Sequence, residues 1–251
     1  MASVLLSTQH SALSTVLEFR DPVSTWTHLL WMILSVPATW LLWSRCRGDR
    51  PKQISVLIFG MSLMYCFLGS TLFHAVRVPE PQLEVFATLD YIGIYVLIAG
   101  TCTPILFTML TGWWRLSTLL TIWSLALVGI VIRAAQLDLP PWLSTALYLG
   151  MGWSMISCFP ELVRVVPHRP LTLVPLGGGL YSVGAALYLA GWPTLWPGVI
   201  GSHELMHFFV MAGSATHFWF MLKYVAPFER VEARPEPLAL GAFLATEESG
   251  S

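Results

Sequence analysis

Two histidines four residues apart are the first feature of this sequence that could do chemistry. His203 and His207 stand in the segment Gly-Ser-His-Glu-Leu-Met-His. On a helix this spacing places both imidazoles on one face, about 6 Å apart along the axis, where they can converge on one metal ion. The alternative is a pair of buried histidines that hydrogen-bond to neighbouring helices, and the pair alone leaves both interpretations open.

The composition places these histidines in an integral membrane protein. Of 251 residues, 55% are hydrophobic and only 11% are charged, whereas an ordinary soluble domain is about 25% charged. The mean hydropathy is accordingly high, at +0.67. A formal net charge of −1 provides no basic field for nucleic acid, so we expect no nucleic-acid partner. The four cysteines form no CxxC pair, which argues against a disulfide framework.

Seven windows with at most one charged residue each approach the roughly 20 residues that a helix needs to cross a bilayer. They are residues 25–43, 54–75, 85–109, 113–132, 139–159, 171–189 and 199–222. Tryptophans stand at many of the window ends, as an aromatic belt at the lipid headgroups requires. The sequence therefore predicts an all-α fold, a polytopic membrane protein built as a seven-transmembrane-helix bundle.

We expect one helical domain between two terminal segments. The predicted boundaries are an N-terminal segment at 1–23, the seven-helix transmembrane domain at 24–224 and a disordered tail at 225–251. The tail is rich in Pro, Glu, Ala and Gly, which cannot bury enough apolar surface to become ordered. In the sixth window, Gly177, Gly178, Gly179 and Gly184 suit close helix packing better than phosphate binding.

The distribution of lysine and arginine predicts the orientation. When the seven windows alternate, Arg20, Arg77 and Arg133 lie on the N-terminal side and the other ten cations lie on the opposite side. We expect the protein in the plasma membrane. By the positive-inside rule, its N-terminus should lie outside the cell and its C-terminal tail in the cytoplasm.

Alternating crossings also bring polar side chains from four windows into one leaflet. These are His28, Ser70, His74, Asp90, His203 and His207. An acidic side chain near mid-membrane costs about 2.5 to 3.5 kcal/mol, so such residues are functional candidates. His74 adds a third imidazole and Asp90 a carboxylate, the residue types of a catalytic zinc site with a position open for water. Ser70 lies one turn before His74 and is placed for a supporting hydrogen bond.

Two other residues of the seventh window, His217 and Glu204, are candidates for roles outside this zinc site. Ten residues of helix carry His217 about 15 Å deeper than His207, so we expect it to hydrogen-bond to a neighbouring helix instead. His203 to His207 also matches the HExxH pattern of metalloproteases, with Glu204 as general base. Only 44 residues follow His207, and they contain no carboxylate in a further apolar span that could supply a later ligand. The protease is the weaker interpretation.

Three longer segments resemble the hemolysin III family. They are GSTLFH at 69–74, LDYIGIYVLIAGTCTP at 89–104 and SHELMHFFVMAGSATHF at 202–218. Through this family the chain resembles the progestin and adipoQ receptors and, more distantly, the alkaline ceramidases. The resemblance implies that His74, His203 and His207 are zinc ligands, that Asp90 is the partner of the zinc-bound water, and that Ser70 is its neighbour. In the first motif of the wider superfamily, a glutamate and an asparagine precede a histidine; here Asp21 and Ser24 precede His28, and their roles are left open.

Two functions from different classes follow. The first is a membrane-embedded, zinc-dependent hydrolase of lipid-like amides or esters, in which Asp90 and Ser70 are the catalytic candidates and membrane lipid or a lipid-like small molecule is the partner. The second is a channel, a lytic (hemolysin-type) protein or a receptor-like protein, in which zinc only holds helices together. Copper, iron or nickel would accept the same imidazole ligands.

Overall fold

The computed structural model describes residues 19–137 and 139–229, and these are almost entirely helical. The helices are α1 Pro22–Arg45, α2 Arg50–Ala75, α3 Glu80–Met109, α4 Gly112–Ala134, α5 Pro141–Trp153, α6 Phe159–Val165, α7 His168–Leu171, α8 Leu173–Ala190 and α9 Ser202–Phe220. A 3-10 turn at Ser154–Cys158 joins α5 to α6, and a π-helical turn at Met221–Val225 extends α9. Between the described residues there is one isolated β-bridge and no strand.

Seven crossings follow from these helices. The helices α1 to α4 each form one crossing, α5 and α6 together form the fifth, α7 and α8 form the sixth, and α9 forms the seventh. Within the described ranges, five segments are long and apolar enough to cross a membrane, namely α2, α3, α4, α7–α8 and α9 with its extension. The first crossing is rich in Trp, Ser and Thr, and the fifth is divided into shorter pieces. The predicted all-α, polytopic seven-helix bundle is confirmed.

Two of the helices differ from their windows for reasons of local chemistry. The fifth window was expected as one helix over 139–159, but the α-helix ends at Trp153 and resumes at Phe159. Pro160 explains the break, because proline has no N–H to give to the preceding turn and its ring clashes with that turn. The seventh helix begins at Ser202 rather than at 199, because the N–H groups of Val199 and Ile200 close a tight turn on the carbonyl oxygen of Trp196.

Close contact between α2 and α3 positions the polar residues of these two helices. A Cβ atom at Gly93 would lie 2.8 Å from the Cα atom of Cys66, and one at Gly69 would lie 3.2 Å from the carbonyl oxygen of Leu89. The two backbones can approach this closely only because glycine has no side chain. As a result, Ser70 of α2 faces Asp90 of α3.

The antiparallel helices α8 and α9 pack in the same way. A Cβ atom at Gly177 would overlap the His217 ring, and one at Gly184 would lie 2.8 Å from the Cβ atom of Phe209. The expected role of these two glycines in helix packing is thus borne out, whereas Gly179 has no neighbouring atom within 4 Å among the described residues. His217 also makes the expected contact with a neighbouring helix, at 3.0 Å between its Nε2 and the carbonyl oxygen of Val174.

The cysteines lie within the described residues, whereas most of both terminal segments lie outside them. All four cysteines fall in the described ranges and are free and buried, in agreement with the expected lack of a disulfide framework. Residues 1–18 and 230–251 lie outside the described residues. The domain boundaries, including the expected disordered tail at 225–251, therefore stay predictions.

Candidate metal centre

The end of α2 and the beginning of α9 meet at one level of the bundle and bring three imidazoles together. His74 lies in the last turn of α2, and His203 and His207 lie in the first two turns of α9. One ring nitrogen of each lies within 4.8 Å of those of the other two. We call His74, His203 and His207 the trihistidine cluster.

Two donor atoms of this cluster are spaced as two ligands of one tetrahedral metal ion would be. The Nε2 atoms of His74 and His203 are 3.3 Å apart, and two ligands of a tetrahedral zinc with Zn–N bonds of 2.0–2.1 Å are separated by about 3.4 Å. The Nδ1 atom of His74 lies 2.8 Å from a carboxylate oxygen of Asp21. This contact keeps the proton on Nδ1 and leaves the Nε2 lone pair free for a cation.

Asp21 is held in place on both sides. Its backbone N–H donates to the carbonyl oxygen of His74 at 3.0 Å, and its carboxylate accepts from Nε of Arg20 at 3.0 Å. Partial burial alone would raise the pKa of the Asp21 carboxyl, but the hydrogen bonds from His74 and Arg20 outweigh burial and lower that pKa below its ordinary value. The carboxylate therefore stays ionised beside the His74 imidazole.

Glu204 is occupied by structural hydrogen bonds. One oxygen accepts from the Ser24 hydroxyl at 3.1 Å, and the other accepts from the backbone N–H of Gly201 at 2.9 Å. The second bond satisfies a free N–H at the start of α9, and the first ties α9 to α1. Because both oxygens are engaged away from the cluster, Glu204 lacks the arrangement of a metalloprotease base.

His28 forms part of the wall around the cluster. Its ring stacks on His207, with centroids 3.8 Å apart and planes inclined by 18°, and meets the edge of Phe67 at 5.0 Å. Both of its ring nitrogens are buried and have no hydrogen-bond partner among the described residues. The structure does not include His28 in the group that could hold an ion.

Ser70 and Asp90 lie on the wall of a cavity next to the cluster. The cavity has a volume of about 440 Å³, within the usual range for ligand sites, and His203 and His207 also line it. Asp90 is partly accessible from inside it, and the Ser70 hydroxyl is its polar neighbour. Of the predicted site residues, three histidines thus meet in one cluster, while Asp90 and Ser70 lie on the adjoining surface.

Sequence reasoning missed the partners that the first helix supplies. Asp21 contacts His74, and Ser24 contacts Glu204. A signal was present, because positions 21, 24 and 28 are three and four residues apart and fall on one helical face near the start of the first crossing. Their partners, 53 and 180 residues away in sequence, could not be read from that spacing.

The fold and the cluster together define a class of protein: a seven-helix integral membrane protein with a candidate trihistidine metal centre. Residues 18–218 match the family described as Haemolysin-III related, and the chain belongs to this family. The resemblance inferred from the motifs is thereby confirmed.

Named relatives are found in bacteria and in animals. The chain is 36% identical over 200 residues to the "Hemolysin-3 homolog" of Bacillus subtilis (strain 168), covering 79% of the chain and 91% of the relative. It is 34% identical over 203 residues to "Hemolysin-3" of Bacillus cereus, covering 80% and 90%. It is 26% identical over 214 residues to the "Monocyte to macrophage differentiation factor" of Homo sapiens, covering 82% and 85%.

Proposed function

We propose that this protein is a membrane-embedded, zinc-dependent hydrolase of lipid-like amides or esters. The observation that carries the proposal is that two histidines of the trihistidine cluster, His203 and His207, line a largely apolar cavity whose wall also holds Asp90. A site built only to pin helices together needs neither the cavity nor the carboxylate.

The residues divide into metal ligands and proton-handling groups. His74, His203 and His207 would hold the ion. When bound there, zinc would supply a Lewis acid that makes water a nucleophile near neutral pH. A carboxylate oxygen of Asp90 would take the proton of the attacking water as a general base and then give it to the departing amine or alkoxide. The Ser70 hydroxyl positions the Asp90 carboxylate by contact with it.

The shape of the cavity supports a lipid-like substrate. Lining residues on α9 extend from His203 to His217, fourteen residues or about 21 Å along the helix axis. Trp153 and Ile156 of the fifth crossing line the cavity and are 38% and 62% exposed. We propose that membrane lipid enters the cavity sideways at this wall. We further propose the plasma membrane as the location, with the N-terminus outside.

Replacing Asp90 tests the mechanism. Asp90→Asn should retain the metal but lose at least about 100-fold in turnover, because an amide cannot accept the proton. The measurement is release of fatty acid from a panel of N-acyl and ester lipids by the protein in nanodiscs. Glu84→Gln is the matched control, since Glu84 is an exposed carboxylate on the same helix. Full activity of Asp90→Asn would rule out the proposed base.

A second candidate is a lytic or receptor-like protein with a structural metal. One observation favours it: the trihistidine cluster joins α2 to α9, and Asp21 and Ser24 tie α1 to both. In that case a chelator should lower thermal stability while no lipid is cleaved, and the protein should release dye from liposomes or respond to an external ligand. The name of the Bacillus cereus relative, "Hemolysin-3", makes dye release the first assay for this candidate.

A further inference from the structure

Arg133 differs from the other two cations on its side of the membrane. Nε of Arg20 donates to Asp21 at 3.0 Å, and Nη2 of Arg77 donates to the carbonyl oxygen of Phe19 at 2.9 Å. Arg133 has neither a hydrogen-bond acceptor nor a carboxylate partner among residues 19–137 and 139–229. Of these three cations, it alone lacks a polar partner in the described part of the chain.

The guanidinium of Arg133 faces the interior of the bundle. Its Cζ atom lies 4.0 Å from the centre of the Tyr91 ring, its Nε atom is buried, and the residue lines the cavity next to the trihistidine cluster. An arginine at a helix end in a membrane usually extends to the headgroups and stays hydrated. A cation turned inward onto an aromatic ring, with no carboxylate partner among the described residues, is better compensated when a ligand supplies the negative charge.

Aromatic residues connect Arg133 to the cluster. Tyr91 follows Asp90 directly in α3 and lies beneath the guanidinium. Tyr188 of α8 lines the same cavity and contacts His203, with ring centroids 5.5 Å apart. Further from the cluster the lining is mostly apolar and includes Ile105 and Leu162, with Thr101 and His217 as polar exceptions. The cavity thus has a polar end, with a cation that has no carboxylate partner in the described part of the chain, and a largely apolar remainder.

We infer that Arg133 makes the polar end of this cavity a binding subsite for the anionic head group, a carboxylate or a phosphate, of a single-chain amphiphile. The inference rests on the proposed function only in assigning a lipid-like ligand to the cavity. Guanidinium groups bind carboxylates and phosphates through paired N–H donors, and a neutral head group cannot replace the charge. The apolar remainder of the cavity accommodates the alkyl chain.

Ligand binding by the full chain in detergent tests this subsite without requiring hydrolysis. Oleic acid, lysophosphatidic acid, oleyl alcohol and inorganic phosphate would each compete with an uncharged fluorescent alkyl probe, before and after metal removal by a chelator. The two anionic lipids should bind roughly ten- to hundredfold more tightly than oleyl alcohol, the range for a hydrogen bond to a charged group. Arg133→Gln should remove this preference, and its unchanged affinity for oleyl alcohol would report that it is folded.

Matched variants separate a direct contact from a general charge effect. Arg77→Gln removes a cation from the same side of the membrane but outside the cavity, and should leave the preference intact. Arg133→Lys keeps the charge without the paired donors and should reduce the preference; if Arg133→Gln does not fold, this variant carries the test.

Any one of the following results would overturn the inference. They are equal affinity of the wild type for acid and alcohol, equal effects of Arg77→Gln and Arg133→Gln, or an unchanged preference in Arg133→Lys. If inorganic phosphate displaced the probe as strongly as lysophosphatidic acid does, the result would also contradict the inference, because the alkyl chain would then contribute nothing to binding. If the preference for anionic lipids depends on Arg133 but no lipid is cleaved, the proposed hydrolase would be refuted. The anion subsite would still be supported.

Discussion

At the scale of single residues, the best-defined feature is the contact between Asp21 and His74. It keeps the His74 proton on Nδ1 and thereby selects the nitrogen that faces His203. Carboxylates in this position orient metal-binding imidazoles and increase their basicity, and losing them weakens metal affinity by about 10- to 100-fold.

Asp21→Asn should therefore bind zinc at least about tenfold more weakly than the wild type. The amide retains an acceptor for the imidazole N–H but loses the charge. Competition with a chromogenic chelator measures the affinity. Asp49→Asn is the control, because Asp49 caps the far end of α2 through the N–H of Lys52 and does not touch the cluster. Equal zinc affinity of wild type and Asp21→Asn would show that the carboxylate does not support the site.

Some residues of the site could be predicted from the sequence, and others could not. His203 and His207 can be recognised from their helical spacing. His74 and Asp90 can be recognised because ionisable groups are rare at this membrane depth. Asp21 and Ser24 make contacts across distant parts of the chain, which depend on the packing of α1 against α2 and α9. Pairwise partners of this kind cannot be derived from one sequence without the fold.

At the scale of helices, the glycines of α8 determine how closely α9 approaches. A Cβ atom at Gly177 would overlap the His217 ring, which already contacts the Val174 carbonyl oxygen. At Gly179 no atom of the described residues lies within 4 Å of such a Cβ atom. The two positions are two residues apart on one helix and differ only in what they face.

Gly177→Ala should lower the free energy of unfolding by about 1 to 3 kcal/mol, the usual cost of overpacking. Gly179→Ala should leave it unchanged or raise it slightly, because alanine favours the helix over glycine. Thermal unfolding in detergent, followed by circular dichroism, compares the two. Equal stability of both variants would mean that the close contact between α8 and α9 does not contribute to folding.

The positions of most helices follow from hydropathy, while their breaks depend on local chemistry. Length and apolar content place seven crossings within a few residues of those observed. The 3-10 turn ahead of Pro160 and the tight turn at Val199 interrupt windows of uniform hydropathy. Hydropathy averages over such a window and therefore carries no information on proline or on a turn inside it.

At the scale of the whole molecule, the orientation can be tested with introduced cysteines. All four native cysteines are buried, and burial raises the pKa of the Cys46 thiol, so none should react with a membrane-impermeant maleimide. Arg47 and Glu80 are exposed at opposite ends of the bundle. In intact cells Glu80→Cys should be labelled, and Arg47→Cys should be labelled only after permeabilisation. The reverse pattern would place the N-terminus in the cytoplasm.

The central claim is that three histidines from two helices form one metal centre, and metal content tests it most directly. Elemental analysis of the detergent-purified protein should find about one zinc per chain in the wild type and in His168→Ala, an exposed histidine outside the cluster. Both His74→Ala and His203→Ala should lose the zinc, because each removes one of three ligands. A folded wild type without metal, or metal retained in both cluster variants, would contradict the account.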